Sequence, residues 1–112
     1  MIELSIVRDR SGFIRRIAIR GHAGFSEYGS DIVCAAVSVT AYTAVGALGD
    51  LAGITDAHKE KSGFMLISIP EDITEQQKQV AAIILETTVI GLKQIEMEYG
   101  QFVKVLDRRC KP

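Results

Sequence analysis

The chain has 112 residues, of which 47% are hydrophobic and 24% charged, with a formal net charge of −1. That length supports one hydrophobic core and is too short for two, so we predict a single domain over residues 1–112. A net charge close to zero excludes a strong basic field over the whole molecule. Direct nucleic-acid binding is therefore not expected as a main role, although a local basic patch stays open.

The first residues carry an acidic side chain and an alternating apolar pattern, where a secretory signal would have a basic region followed by an apolar block. This pattern predicts a strand of the mature fold. The chain has only two cysteines, Cys34 and Cys110, and the second lies in the last three residues. Together these features favour a cytoplasmic, reduced protein.

The first half of the chain is predicted to form a hairpin, a loop and a long helix. Alternating apolar residues predict strands over 2–8 and 13–20, joined by a polar turn that contains Gly12. Residues 21–29 contain three glycines and predict a loop long enough to move as a lid. A helix is predicted over 31–51, with Ser30 as its N-cap and Gly53 at its exit.

The predicted first helix is apolar nearly all round and has no charged residue between positions 32 and 49. A membrane span has this length, but the segment consists mainly of Ala, Val, Ser, Thr and Gly with a single Leu, which makes insertion much less favourable than for a Leu-rich segment. A buried helix of a soluble protein fits better. Because such a helix must be covered on more than one side, a subunit interface and a homodimer are predicted.

The second half predicts a hairpin, a helix and a final strand. Strands are expected over 54–61 and 64–69 with the turn at 61–63, and the more polar first strand is expected at a sheet edge. A capping box at Thr74 begins a helix that ends at Gly100, and residues 102–107 form the last strand. The order ββαββαβ predicts an α+β fold: a mostly antiparallel sheet of about five strands packed with two helices.

His22 and Cys34 are the candidate catalytic residues. The cysteine lies near the start of the predicted helix, where unpaired backbone N–H groups favour a thiolate, and the histidine lies in the glycine-rich loop, from which its imidazole could take the thiol proton. Helical spacing places Asp31, Cys34, Ser38 and Tyr42 on one stripe. The pair therefore reads as nucleophile and base.

Plainer interpretations stay open at this point. Cys34 could be a small buried side chain and His22 a turn residue. Asp31 could orient the histidine or serve only the helix dipole. His58, in a polar edge strand, and Cys110, in the tail, are assigned no role, and the spacing of Cys and His residues indicates no metal site.

Residues 21–24, Gly-His-Ala-Gly, followed by residues 29–38, Gly-Ser-Asp-Ile-Val-Cys-Ala-Ala-Val-Ser, resemble the signature of the ribosomal-processing cysteine protease family. The resemblance extends to the layout of the whole chain. It implies a cytoplasmic homodimeric endopeptidase, without a cofactor, that removes a short N-terminal extension from the bacterial large-subunit ribosomal protein L twenty-seven.

By the same resemblance, Cys34 is the nucleophile, His22 is the base, and Asp31 and Ser38 support the site. The loop would order around the bound peptide, and its implied substrate-binding residues are Gly21, Gly24, Phe25, Tyr28 and Gly29. The two aromatic residues could contact a peptide side chain or anchor the loop itself.

Two other functions compete with proteolysis. One is a non-catalytic ribosome-assembly or RNA-associated module, suggested by five arginines and opposed by the weak global charge: Arg15, Arg16, Arg20, Arg108 and Arg109. The other makes Cys34 a redox-sensing thiol, which predicts fast alkylation of the cysteine but no peptide cleavage.

Overall fold

The structure, a computed structural model, describes residues 1–21 and 30–109, and of Ser30, Asp31 and Arg109 it describes only the backbone. The elements in chain order are β1 (Ile2–Arg8), β2 (Ile14–Arg20), α1 (Ser30–Ala52), β3 (His58–Lys61), β4 (Phe64–Ser68), α2 (Glu75–Tyr99) and β5 (Val103–Arg109). The predicted order ββαββαβ and the α+β class are confirmed.

The five strands form one mixed sheet in the order β3-β4-β2-β1-β5. Neighbouring strands pair antiparallel except β1 and β5, which run parallel. A parallel pair needs a long connection, and here the rest of the fold, including both helices, lies between the two strands. The polar strand β3 lies at an edge of the sheet, as its sequence predicted.

Several boundaries differ from the predictions: β2, β4 and β5 differ by one or two residues, and the start of β3 and both ends of α1 differ as well. Strand β3 begins at His58 instead of residue 54, because the segment before it turns inward: Ile54 and Ala57 are buried, and the Ile54 N–H donates to the Leu48 carbonyl at 2.9 Å. Helix α1 is one residue longer at each end, so Ser30 is its first residue and not the residue before it.

The core lies between one face of the sheet and the two helices. Alternation along β1 and β2 buries Leu4, Ile6 and Ile17, and Ile6 pairs with Ile17 in register across the sheet. Both helices contribute fully buried side chains to the same core: Val33, Leu48, Leu85 and Leu92. The opposite face of the sheet carries exposed polar side chains and has no layer over it within residues 1–21 and 30–109.

Side-chain contacts fix the helices to their neighbours. Thr74 and Gln77 form the predicted capping box at the start of α2, and the Gln77 amide also donates to the Ala52 carbonyl at the end of α1 at 3.0 Å. At the other end of the sheet, Arg8 donates to Asp107 on β5 at 2.8 Å and pairs with Glu86 on α2. These contacts join α1, α2, β1 and β5 around the core.

Helix α1 is long and apolar enough to cross a membrane by length and composition, over Ile32–Ala52, and it is the one such helix among the described residues. A core helix of a soluble protein passes the same test. Here Val33, Val37, Ala41 and Leu48 pack into the core, so burial accounts for one apolar face of α1. Ile32, Val39 and Leu51 on the same helix are exposed.

Candidate active site

Cys34 is the fifth residue of α1 and lies at the start of its second turn. The backbone N–H groups of the first turn have no acceptor within the helix, and helical side chains lean toward the N-terminus. The Cys34 thiol therefore lies close to the positive end of the helix, although Cys34 itself is one residue beyond the first turn. Cys34 is half-buried and forms no disulfide, which keeps the sulfur accessible.

The thiol opens into a pocket of about 190 Å³ between α1 and the sheet. Cys34, Ser38 and Tyr42 line one wall, so three members of the predicted stripe face the same space. Val37 forms part of the floor. The opposite wall comes from the β3–β4 hairpin and the ends of β1 and β2: Ile2, Ile19, Gly21, Glu60, Lys61, Gly63, Phe64 and Met65.

Gly21 fixes the rim of this pocket directly after the end of β2. Its φ of +87° is a conformation that residues with side chains rarely adopt, and an added Cβ would lie 2.7 Å from the Met1 carbonyl oxygen. Its N–H donates to the Gly63 carbonyl at 2.9 Å, which joins the loop start to the β3–β4 turn. Glycine is therefore required here by backbone geometry, and His22 is the next residue in the chain.

A polar network connects the two walls of the pocket. The Tyr42 hydroxyl donates to both carboxylate oxygens of Glu60 at 2.6 Å, and Glu60 also pairs with His58 Nε2 at 3.1 Å. The hydrogen bond to Glu60 raises the pKa of the Tyr42 hydroxyl above its ordinary value. The Tyr42 and His58 rings meet edge to face at 6.0 Å. The network therefore holds β3 against α1.

The structure places some of the predicted site residues and not others. Gly21, Cys34 and Ser38 line one pocket. His22, Gly24, Phe25, Tyr28 and Gly29 lie outside the described residues, as does the side chain of Asp31. The roles assigned to those residues stay predictions, and so does the lid assigned to residues 21–29.

The sequence analysis did not predict that the β3–β4 hairpin forms the second wall of the pocket. Glu60, Lys61, Gly63 and Phe64 belong to a hairpin about thirty positions after Cys34, and His58 was assigned no role. One signal was available: alternation in β3 places His58 and Glu60 on the same face of the strand. Whether this face of β3 lies toward α1 depends on the order of the strands in the sheet. That order cannot be predicted from the residues of β3 alone.

Comparison with known proteins identifies the fold and the family. A family model described as Cysteine protease Prp matches residues 1–104. The chain belongs to the Prp family of cysteine proteases. Prp relatives match over nearly their whole length: the Bacillus subtilis ribosomal processing cysteine protease Prp is 32% identical over 107 residues, which cover 94% of this chain and 96% of the relative. Its Staphylococcus aureus counterpart is 31% identical over 108 residues, covering 94% and 97%.

Solved structures agree with this assignment. A Streptococcus mutans protein superposes with a TM-score of 0.84 at 31% identity, over 98% of this chain and 96% of that chain. An essential ribosomal processing protease Prp from S. aureus, in complex with a substrate peptide, superposes with a TM-score of 0.78 at 26% identity, over 96% of this chain and 100% of that chain. The same S. aureus protease has been solved with a covalently linked product peptide, with a TM-score of 0.76 at 27% identity over 96% and 100% of the two chains.

Proposed function

We propose that this Prp-family chain is a cytoplasmic endopeptidase that removes an N-terminal extension from the ribosomal protein L twenty-seven, with Cys34 as nucleophile and His22 as base. The observation that carries the proposal is the half-buried Cys34 thiol, which lines a pocket beside a helix N-terminus. Gly21 lines the same pocket and directly precedes His22.

In the proposed reaction the imidazole of His22 takes the proton of the Cys34 thiol, and the sulfur attacks the carbonyl carbon of the scissile peptide bond. The backbone N–H groups of the first turn of α1 have no acceptor within the helix and would donate to the oxyanion. The imidazolium then protonates the leaving amine, and a peptidyl thioester remains on Cys34. Water activated by His22 hydrolyses this ester and restores the thiol.

The pocket suits an extended peptide. One wall has an apolar part, formed by Ile2, Ile19 and Met65, and the other wall presents the hydroxyls of Ser38 and Tyr42. Apolar lining with a few polar groups is typical of sites that bind a side chain and fix its backbone. The names of the relatives, which are ribosomal processing proteases, support a ribosomal substrate. The choice of L twenty-seven rests on the family resemblance of the sequence motif.

The test is cleavage of a synthetic peptide that spans the extension and the first residues of the mature ribosomal protein, with products and cleaved bond identified by mass spectrometry. Cys34→Ala should abolish cleavage, and His22→Ala should lower kcat/KM by about 10² to 10⁴-fold, the usual contribution of a general base. Cys110→Ser is the matched control and should cleave at the wild-type rate. Undiminished cleavage by Cys34→Ala would disprove the proposal.

We further propose that the protein is a homodimer whose subunits pack through their helices. Large apolar side chains recur seven positions apart on the outward faces: Ile32 and Val39 on α1, and Ile83, Ile90 and Met97 on α2, with Ile83 70% and Met97 85% exposed. Residues seven apart share a helix face, and a two-fold axis would place such a face against its own copy.

Sedimentation velocity tests the dimer. Ile90→Asp would bury a carboxylate in the proposed interface and should shift the protein to monomer. Gln101→Asp adds the same charge at an exposed turn and should leave the dimer intact. A wild-type protein that sediments as a monomer at micromolar concentrations would contradict the proposal.

A further inference from the structure

The face of the sheet that points away from the helices concentrates basic side chains. Register places fourteen residues there in three rows across the strands. The first is Lys61, Phe64, Arg20, Glu3 and Lys104, the second is Lys59, Leu66, Ala18, Ser5 and Leu106, and the third is Ser68, Arg16, Val7 and Arg108. We call this surface the open face. It holds six of the chain's 13 basic residues and one of its 14 acidic residues.

The six basic side chains are exposed, and none of them forms an ion pair within residues 1–21 and 30–109. By contrast Arg8, Arg15 and Lys93, which lie off the open face, each pair with a carboxylate. The net charge of −1 therefore averages a strongly basic surface with an acidic remainder. Of the five arginines noted in the sequence, the open face gathers Arg16, Arg20 and Arg108.

The spacing of these charges suits a polyanion. Strands lie about 4.8 Å apart and rise about 3.3 Å per residue, so Arg16 and Arg20 are about 13 Å apart along β2, and β5 lies about 10 Å to one side. Lys104 and Arg108 repeat the same spacing on β5. Basic groups thus surround the centre of the second row, where Leu66, Ala18 and Leu106 are half-buried.

The open face also offers a stacking surface. The Arg20 guanidinium lies over the Phe64 ring, 4.8 Å from its centroid. Aromatic rings and guanidinium planes on an open sheet are where unpaired bases stack in single-stranded RNA complexes, while basic side chains contact the phosphates. A membrane is less well matched, because Phe64, Leu66 and Leu106 are half-buried in the sheet and Val7 is the one exposed apolar residue among the fourteen of the open face.

From these observations we propose that the open face binds single-stranded RNA, through phosphate contacts to its basic side chains and base stacking at Arg20 and Phe64. This role is independent of peptide cleavage. The net charge did not predict nucleic-acid binding, because a net charge does not describe where the charged side chains lie. Lys61 and Phe64 additionally line the Cys34 pocket, so the two surfaces meet at that edge of the sheet.

Fluorescence anisotropy with a labelled single-stranded oligouridine of about 12 nucleotides tests the proposal, with the salt concentration varied from about 50 to 200 mM. The wild type should bind, and log Kd should rise linearly with log salt. Each phosphate contact to a single strand contributes about 0.7 to that slope, so Arg16→Gln with Arg108→Gln should lower it by about 1.4. Lys78→Gln with Lys93→Gln, on α2, changes the net charge equally and should leave the slope unchanged.

A second pair of variants tests for gain of binding, which a folding defect cannot produce. Glu3→Lys replaces the acidic residue of the first row and should tighten RNA binding and steepen the slope by about 0.7. Glu98→Lys, on the exposed surface of α2, makes the same charge change and should have no such effect. Equal effects of the open-face and α2 variants would overturn the proposal, since net charge alone would then explain the binding.

Two further outcomes separate this proposal from the peptidase. Cys34→Ala should bind RNA like the wild type, and the Arg16/Arg108 double variant should keep its peptide cleavage. No detectable RNA binding by the wild type at low salt would refute the proposal, as would stronger binding to vesicles of anionic phospholipid. Loss of RNA binding in Cys34→Ala would place the RNA in the pocket and would also refute it.

Discussion

Gly21→Ala should both destabilise the fold and impair the site, because Gly21 is confined in two ways. A left-handed conformation costs an alanine about 1–2 kcal/mol. The added Cβ would also approach the Met1 carbonyl oxygen to 2.7 Å, and relieving such overpacking costs about 1–3 kcal/mol. The two costs together give an expected loss of about 2–5 kcal/mol.

Urea denaturation measures this loss of free energy of unfolding, and the peptide assay measures its effect on kcat/KM. Gly46→Ala is the matched control: Gly46 lies within α1, and an added Cβ would meet nothing within 4 Å. That substitution should stabilise the protein by about 0.5–1 kcal/mol, because alanine favours a helix over glycine. A Gly21→Ala protein as stable as the wild type, with full activity, would refute the geometric account of the pocket rim.

Three further predictions concern side-chain contacts. Thr74→Ala removes the capping box with Gln77 and should lower the free energy of unfolding by about 1 kcal/mol. Asp107→Asn should lower the free energy of unfolding by about 1–2 kcal/mol near neutral pH. The hydrogen bond from Arg8 holds the pKa of Asp107 below its ordinary 3.8. The stabilisation by this carboxylate is therefore present above pH 3.8 and is lost as the pH falls through the lowered pKa. Tyr42→Phe should lower kcat/KM by at most about tenfold, because it removes a hydrogen bond in the pocket wall and no reacting group.

Exposed positions provide the controls for these substitutions. Thr55→Ala should leave stability within about 0.5 kcal/mol of the wild type, and Asp56→Asn should show no comparable pH dependence. A Thr74→Ala protein with wild-type stability would contradict the role of the cap. The difference in free energy of unfolding between Asp107→Asn and the wild type should shrink as the pH falls. A difference that grows in acid would contradict the lowered pKa of Asp107. A loss above about a hundredfold in Tyr42→Phe would place that hydroxyl in the chemistry.

Short sequence patterns correctly predicted the elements that depend on residues close together in the chain. The alternation of Ile2, Leu4 and Ile6 marked β1, and the capping box at Thr74 marked the start of α2, because both patterns act within a few residues. The stripe of Cys34, Ser38 and Tyr42 followed from helical geometry alone. The structure confirms that these three side chains face one pocket.

The remaining features depend on contacts between distant segments. Residues 54–57 carry apolar residues that read as part of a strand, but tertiary packing draws Ile54 and Ala57 into the core. The parallel pairing of β1 with β5 joins the two ends of the chain, which no local pattern encodes. The second wall of the pocket and the basic open face both depend on strand order and register, so neither could be read from the sequence.

The central claim is that Cys34 attacks the peptide carbonyl and carries the acyl group. A p-nitrophenyl ester of the peptide segment that precedes the cleaved bond acylates such an enzyme faster than water releases it, so the first turnover should appear as a burst. The account predicts a burst of about one p-nitrophenol per active chain and an acyl group mapped by mass spectrometry to the fragment that contains Cys34. A burst that persists in Cys34→Ala, or an acyl group found on Cys110, would contradict it.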